Sequence, residues 1–171
     1  MKNKKLIIVI IVLAVIILVL GYINMKNIGA IASEEGNINF IVGEKATKLT
    51  FDEITSLNHI EFSATEDTSK SGPTGRKFKG VLLKGVLNKA GIDDEIIASY
   101  SKIIVKGLDG YTIALAKDEV LSDKAIYLAF EKDGKPLGTM KKGGSGPFQM
   151  IAVSDSFSQR WCKYVVEVSL E

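Results

Sequence analysis

After residue 36 the chain is written in short apolar–polar alternations broken by turn residues, the pattern of half-buried strands. "NINFIVG" and "KATKLTF" predict two strands around Gly43-Glu44, and Asp52 to Asn58 predicts a short helix with Asp52 as its N-cap. From His59 to Thr65, Ile60, Phe62 and Ala64 oppose His59, Glu61, Ser63 and Thr65, which predicts a strand with one buried face. Glu66 to Gly75 is dense in turn residues and reads as a loop or hairpin tip. Arg76 to Ile92 starts extended and becomes helical: Val81, Leu82, Val86 and Leu87 fall at helical spacing, and Gly91 is the stop. Lys102 to Ala116 predicts two strands around Leu108-Asp109-Gly110, followed by a short helical turn or loop from Lys117 to Asp123. A strand from Ala125 ends in the turn Asp133-Gly134, and another runs from Pro147 to Asp155. Phe157 to Glu171 begins as a turn and ends as a strand through Val165, Val166 and Val168. Many short strands with a few short helices, without a βαβ repeat, predict an α+β domain of mostly antiparallel sheet.

The N-terminal pattern is different. Leu6 to Ile23 is an unbroken apolar run behind Lys2, Lys4 and Lys5. A helix of roughly 17–25 such residues spans the hydrocarbon core, and flanking lysines stay on the cytoplasmic side. The expected organisation is a cytoplasmic basic flank (1–5), a transmembrane anchor (6–23), a linker (24–36) and an extracytoplasmic domain (37–171), on a single-pass protein of the cell membrane. The competing expectation is secretion after signal cleavage near Ala32, at Ala30-Ile31-Ala32. The run is longer than the roughly 7–15 residues of a signal core, which favours the anchor.

Charge and cysteine content narrow the chemistry. Four lysines (Lys2, Lys4, Lys5, Lys26) and no carboxylate precede Ser33, so of 22 basic and 20 acidic residues the remainder carries a net charge of −2. A basic face with interleaved aromatics, the mark of nucleic-acid binding, is absent. The single cysteine, Cys162, excludes an internal disulfide and every multi-cysteine metal motif. It alternates with Trp161, so one of the pair is expected to face the core. His59, the only histidine, has no nearby partner for metal binding or base catalysis and reads as a strand-surface residue. Asp109 and Asp133 read as turn residues bonding nearby backbone, Asp93-Asp94-Glu95 as a solvated helix start, and Trp161 and Tyr164 as edge packing.

The strongest candidate site is "KKGGSGPFQM". Lys141, Lys142, Gly143, Gly144, Ser145 and Gly146 combine two cations with glycine-permitted backbone, and successive N–H groups in such loops make anion-binding concavities. The order Gly-Lys-Ser/Thr is missing and a strand follows, so this is not a P-loop. The alternative is a solvated connection after a turn.

Four segments, in order, resemble one family. "FKGVLLKGVLNKAGI" (Phe78, Gly80, Val81, Leu83, Val86, Leu87, Ala90, Gly91) resembles the helix entry of the sulfite-oxidase-like molybdopterin-binding domain. Asp109-Gly110-Tyr111 resembles its hairpin, "AIYLAFEKDGKPLG" its Asp-Gly-Lys-Pro-Leu strand, and Gly146 onward its closing strands. The resemblance implies that fold over roughly Ile60 to Glu171, and molybdopterin as the possible cofactor. The family's metal-ligating cysteine lies upstream of the Gly-Val helix, where this chain has none; the hydroxyls of Ser63 and Ser71 are hard and stay protonated. Aligning on Pro147 puts Gly144 where the family's cofactor-binding histidine stands and Gln149 where its arginine stands. The expectation is therefore a non-catalytic binding module for a small anionic or pterin-like ligand or a protein partner, with Lys141 to Gly146 and Gln149 as its binding residues and no catalytic or metal residues. The alternatives are a molybdopterin-dependent oxidoreductase with unusual metal ligation, or an accessory subunit of a membrane redox complex.

Overall fold

The structure, a computed structural model, describes residues 10–22, 36–68, 72–122, 126–156 and 158–171. The chain divides into two units, residues 1–34 and 35–171. The first contains helix α1, residues 10–22. At 1.5 Å per residue this helix is about 20 Å long. Among the described residues no helix is long and apolar enough to cross a membrane. The span expected from Leu6 to Ile23 begins and ends on residues outside those described.

The second unit has two sheets of five strands. Sheet A has the order β2-β1-β10-β5-β6, built from β1 (Ile38–Val42), β2 (Lys45–Leu49), β5 (Lys102–Gly107), β6 (Thr112–Ala116) and β10 (Val165–Leu170). Sheet B has the order β3-β4-β7-β8, with β9 also on β7; these are β3 (His59–Thr68), β4 (Gly72–Leu82), β7 (Ile126–Lys132), β8 (Lys135–Pro136) and β9 (Gln149–Ala152). Among the named strands every pair is antiparallel except β1 with β10. That one parallel pairing ties the start of the domain to its end, and local sequence pattern carries no trace of it.

The short helices are α2 (Phe51–Thr55), α3 (Leu83–Lys89), α4 (Asp94–Ser99) and α5 (Lys117–Leu121). Thr50, not Asp52, caps α2: its hydroxyl accepts from Glu53 N while the Glu53 carboxylate accepts from Thr50 N, a reciprocal box that shifts the helix start. Asp93 caps α4 by accepting from Ile96 N at 2.9 Å, as a solvated helix start should. Val81 and Leu82 belong to β4, and the helical stripe begins at Leu83. The expected tip at Glu66 to Gly75 is mostly ladder: β3 and β4 pair in register from His59↔Val81 to Thr68↔Gly72. Near the end of β4 the ladder with β7 shifts register, and a Cβ on Gly80 would meet Leu128 O at 2.7 Å. Glycine there is a requirement of close approach.

Alternation sorts sheet B into two faces. Val81, Leu128, Phe130, Met150 and Ala152 pack with Ile38, Phe40, Ile103, Val105 and Val168 of sheet A in the main core. On the opposite face Ala64, Phe78, Ala129, Leu137, Ile151 and Trp161 form a second cluster. Phe62 stacks there on Tyr127 with ring centroids 4.3 Å apart, and Trp161 meets Phe78 edge-on at 5.5 Å. Both members of the Trp161–Cys162 pair are buried, at 6% and 0% exposure, and they belong to different clusters. The expected one-in, one-out arrangement gives way because each side of this segment has its own apolar layer.

Candidate functional site

The loop from Leu137 to Phe148 crosses from β8 to β9. Met140–Lys142 form one turn of 3-10 helix, ended by Gly143 at φ 70°. From Lys142 to Gly146 its N–H groups turn inward. Lys142 N and Gly144 N donate to Thr139 O, Gly143 N to Met140 O, Ser145 N to Leu137 O and Gly146 N to Gly138 O, at 2.9–3.1 Å. The concavity of free N–H donors expected at Lys141 to Gly146 is therefore not formed, because the loop's own carbonyls take those donors. The peptide Gly146–Pro147 is cis. A Cβ on Gly144 would lie 2.3 Å from Leu137 O and 2.4 Å from Gly138 O, so this position is glycine by close packing. Tyr164 Oη donates to Gly144 O at 2.5 Å and Tyr164 N to Ser145 O at 3.2 Å, which fixes the loop to the segment before β10. Lys141 and Lys142 are exposed.

Beside this loop lies a cavity of about 450 Å³. One wall is the β7–β8 turn with Lys132, Asp133 and Lys135; the other is Gly143, Gly144 and Ser145, with Lys163 also lining the space. Of the expected site residues the cavity brings together Gly143, Gly144 and Ser145. Lys141, Lys142, Gly146 and Gln149 are not among its lining residues. Asp133 reaches across the sheet instead of capping its own turn: it accepts from Lys77 N at 3.1 Å and from Arg76 Nη1 at 3.2 Å. Lys132 Nζ lies 3.2 Å and 3.3 Å from the two carboxylate oxygens of Glu66, a buried residue. Asp109 does behave as a turn residue, accepting from Tyr111 N at 3.0 Å.

Gln149 is 1% exposed on the second-cluster face of β9, opposite Ala129, and its Oε1 is buried without a hydrogen-bond partner. Trp161 Nε1 donates to Ala152 O at 3.3 Å, which satisfies the indole within the packing. Cys162 is fully buried in the main core, with Sγ 3.7 Å from Tyr111 O and 3.6 Å from Lys163 O. Burial, with a smaller push from Asp109, raises its pKa to about 12. It is a protonated thiol between carbonyls, the opposite of the electropositive setting that makes a thiolate. His59 is exposed, with Nδ1 3.3 Å from Leu57 O and its ring edge-on to Phe130 at 5.8 Å. Among the described residues no group of three His, Cys, Asp or Glu side chains is placed to hold a metal ion.

The oxidoreductase molybdopterin binding domain family matches residues 37–171, the whole of the two-sheet unit apart from its first residues. The chain belongs to this family. No curated protein matches the sequence. Among solved structures, the sulfane dehydrogenase SoxCD from Paracoccus pantotrophus is similar, with a TM-score of 0.62 and 18% identity over 78% of this chain and 37% of that one. This chain thus spans little more than a third of the length of the SoxCD chain, and the likeness is one of fold.

The residues do not fit the group for which the family is named. A soft thiolate is the protein ligand that the resemblance to this family implies for its metal. The only thiol of the sequence is Cys162, buried and protonated in the main core. At Gly144 there is no room even for a Cβ, so a cofactor-binding histidine has no place there. Gln149 is sealed and uncharged where an arginine would have offered a fork to phosphate. Ser63 lies exposed on β3, and Ser71 falls outside the described residues.

Sequence reading missed Lys132, Lys135 and Lys163 as members of one constellation. The signal available was their position: Lys132 and Lys135 flank the Asp133-Gly134 turn, which places both at one hairpin end. Nothing local ties Lys163 to them, because its proximity depends on how Tyr164 clamps the glycine loop.

Proposed function

We propose that the two-sheet domain is a non-catalytic binding module that keeps the molybdopterin-binding fold without its metal chemistry. The observation that carries this reading is the state of Cys162: the chain's only thiol is neutral and packed in the main core. Gly144 supports it, since the backbone occupies the space that a cofactor-contacting side chain would need. The ligand class that suits the cavity is a small anion, because three lysines and a single carboxylate line it. We further propose that the module is held outside the cell by an uncleaved anchor from Leu6 to Ile23. In support, α1 is uncharged throughout, and from Ile10 to Leu20 every side chain is apolar.

Metal analysis tests the central reading. The full chain, expressed in cells with intact molybdopterin synthesis and purified without chelators, should contain far less than one molybdenum atom per chain. Stoichiometric molybdenum would sink the non-catalytic reading and restore an oxidoreductase with unusual ligation.

A further inference from the structure

We infer that the cavity between the β7–β8 turn and Gly143–Ser145 is a phosphomonoester site whose working residues are Lys135, Lys163 and Ser145, not the adjacent pair Lys141 and Lys142. This rests on the reading of the domain as a binding module for anions, and it gives that reading a location and a ligand class.

The charges around the cavity separate into a spent set and an available set. Lys132 is engaged by Glu66, which also lies 3.5 Å from Arg76 Nε; Arg76 in turn meets Asp133, 3.2 Å away. Two cations and two carboxylates neutralise one another there. Lys135 and Lys163 line the same cavity, and neither has an ion pair among the described residues. Two lysines thus line one space with no carboxylate paired to either, the lining carboxylate Asp133 being taken by Arg76 and Lys77 N.

Ser145 supplies the second observation. The residue is only 7% exposed, lines the cavity, and its backbone N–H and C=O are both bonded inside the protein. Its hydroxyl makes no hydrogen bond among the described residues. Among the described residues the enclosed side-chain polar atoms without a partner are Arg76 Nε and Gln149 Oε1; the Ser145 hydroxyl is instead open to the cavity, where a ligand can reach it. A hydroxyl donor with two ammonium groups matches a tetrahedral phosphate monoester, which presents several acceptor oxygens and up to two negative charges. The volume, about 450 Å³, exceeds what a bare phosphate needs and lies within the range of small-molecule pockets, leaving room for an attached organic group. Because the loop's N–H groups are spent on its own carbonyls, recognition here falls to side chains. The affinity should accordingly fall with salt, as expected for exposed ammonium groups screened over ~10 Å at 0.1 M.

The test is calorimetric titration of the full chain, in neutral detergent at low ionic strength, with glycerol phosphate and with short-chain phosphatidate. Binding should weaken by about tenfold or more in Lys135→Ala/Lys163→Ala, and measurably in Ser145→Ala, as for loss of charge-assisted hydrogen bonds. Lys141→Ala/Lys142→Ala should change it less than about twofold at equal ionic strength, a lost exposed charge contributing little. Matched circular dichroism of all variants excludes misfolding, and Lys135→Arg/Lys163→Arg should retain most of the binding. Loss of binding in the Lys141/Lys142 variant with retention in the Lys135/Lys163 variant would overturn this site while leaving the anion-binding module standing. No binding of either phosphate by the unaltered chain would overturn both. Tighter binding of phosphatidate than of glycerol phosphate would support the site with a lipid headgroup as its source; equal affinities would support it with a soluble phosphomonoester.

Discussion

The two faces of sheet B share strands and differ in what they bury. The face toward sheet A is aliphatic and phenylalanine-rich, with Leu128, Met150 and Phe148 at 0% exposure, and every side chain there is a packing residue. The opposite face is aromatic and mixed: Phe62, Phe78, Tyr127 and Trp161 lie with the buried polar residues Gln149 and Glu66. A domain of this size needs one continuous core for stability, and the first face supplies it. The second face carries features that packing alone does not require, and the loop and turn that form the cavity join its strands β7, β8 and β9. Stability and binding chemistry are thus divided between opposite sides of one sheet.

The sharpest way to break this comparison is to cut equally deep on each side. Leu128→Ala removes a fully buried side chain from the main core and should cost about 2–5 kcal/mol in a denaturant unfolding curve. Trp161→Phe keeps an aromatic ring at the second cluster but loses the indole bond to Ala152 O, and should cost about 1–2 kcal/mol. If the Trp161 variant proved as damaging as the Leu128 variant, the second face would be core of the same kind, and the division would fail. Gly144→Ala falls between them. A methyl 2.3–2.5 Å from the Leu137 and Gly138 backbone forces the loop to move, at a cost of about 1–3 kcal/mol. It should also disturb the cavity wall, which Leu128→Ala should leave in place.

Cys162 gives the main core a pH signature that the second face lacks. Its folded pKa is raised to about 12, against ~8.5 for a free thiol. A raised pKa means that the folded state holds the proton more tightly. This contribution is fully present below pH ~8.5 and is lost as pH rises toward 12, at up to about 1.4 kcal/mol per pH unit. Unfolding midpoints at pH 7 and 9.5 should differ by more in the unaltered chain than in Cys162→Ala. The Arg160 network acts at the other end of the scale: its hydrogen bonds to Glu119 hold that carboxylate below its usual range, so its share of stability is present above pH ~4.5 and is lost on acidification.

The elements themselves were legible in the sequence wherever they are local. The β1–β2 and β5–β6 hairpins, the passage from strand to helix within Arg76 to Ile92 (though not its boundary) and the Asp133-Gly134 turn follow from alternation and turn residues, and the family follows from four motifs in order. Pairings between distant segments were not legible. The parallel union of β1 with β10, the reach of Asp133 to Lys77 and the approach of Lys163 to Ser145 each depend on the assembled sheets. The glycine loop shows why a motif can locate a site and mislead about its chemistry. Glycines permit free N–H donors, but here they permit a turn so tight that its carbonyls capture those donors. Composition cannot tell the two apart; only the destinations of the N–H groups can.

The smallest expected effect is also the most diagnostic of the second face. Gln149→Leu replaces a fully buried amide by an apolar side chain of similar size. Gln149 Oε1 has no partner, so its burial already carries a desolvation cost that leucine would relieve. If the second cluster is apolar packing in which this amide is misplaced, the variant should be unchanged or more stable, by up to about 1–2 kcal/mol in thermal or urea unfolding. If the amide instead anchors a bound water or the edge of a ligand, the variant should lose stability, and the loss should be accompanied by weaker phosphate binding. The sign of this one change, read beside the large loss expected for Leu128→Ala, decides whether the aromatic face of sheet B is a second core or the floor of a site.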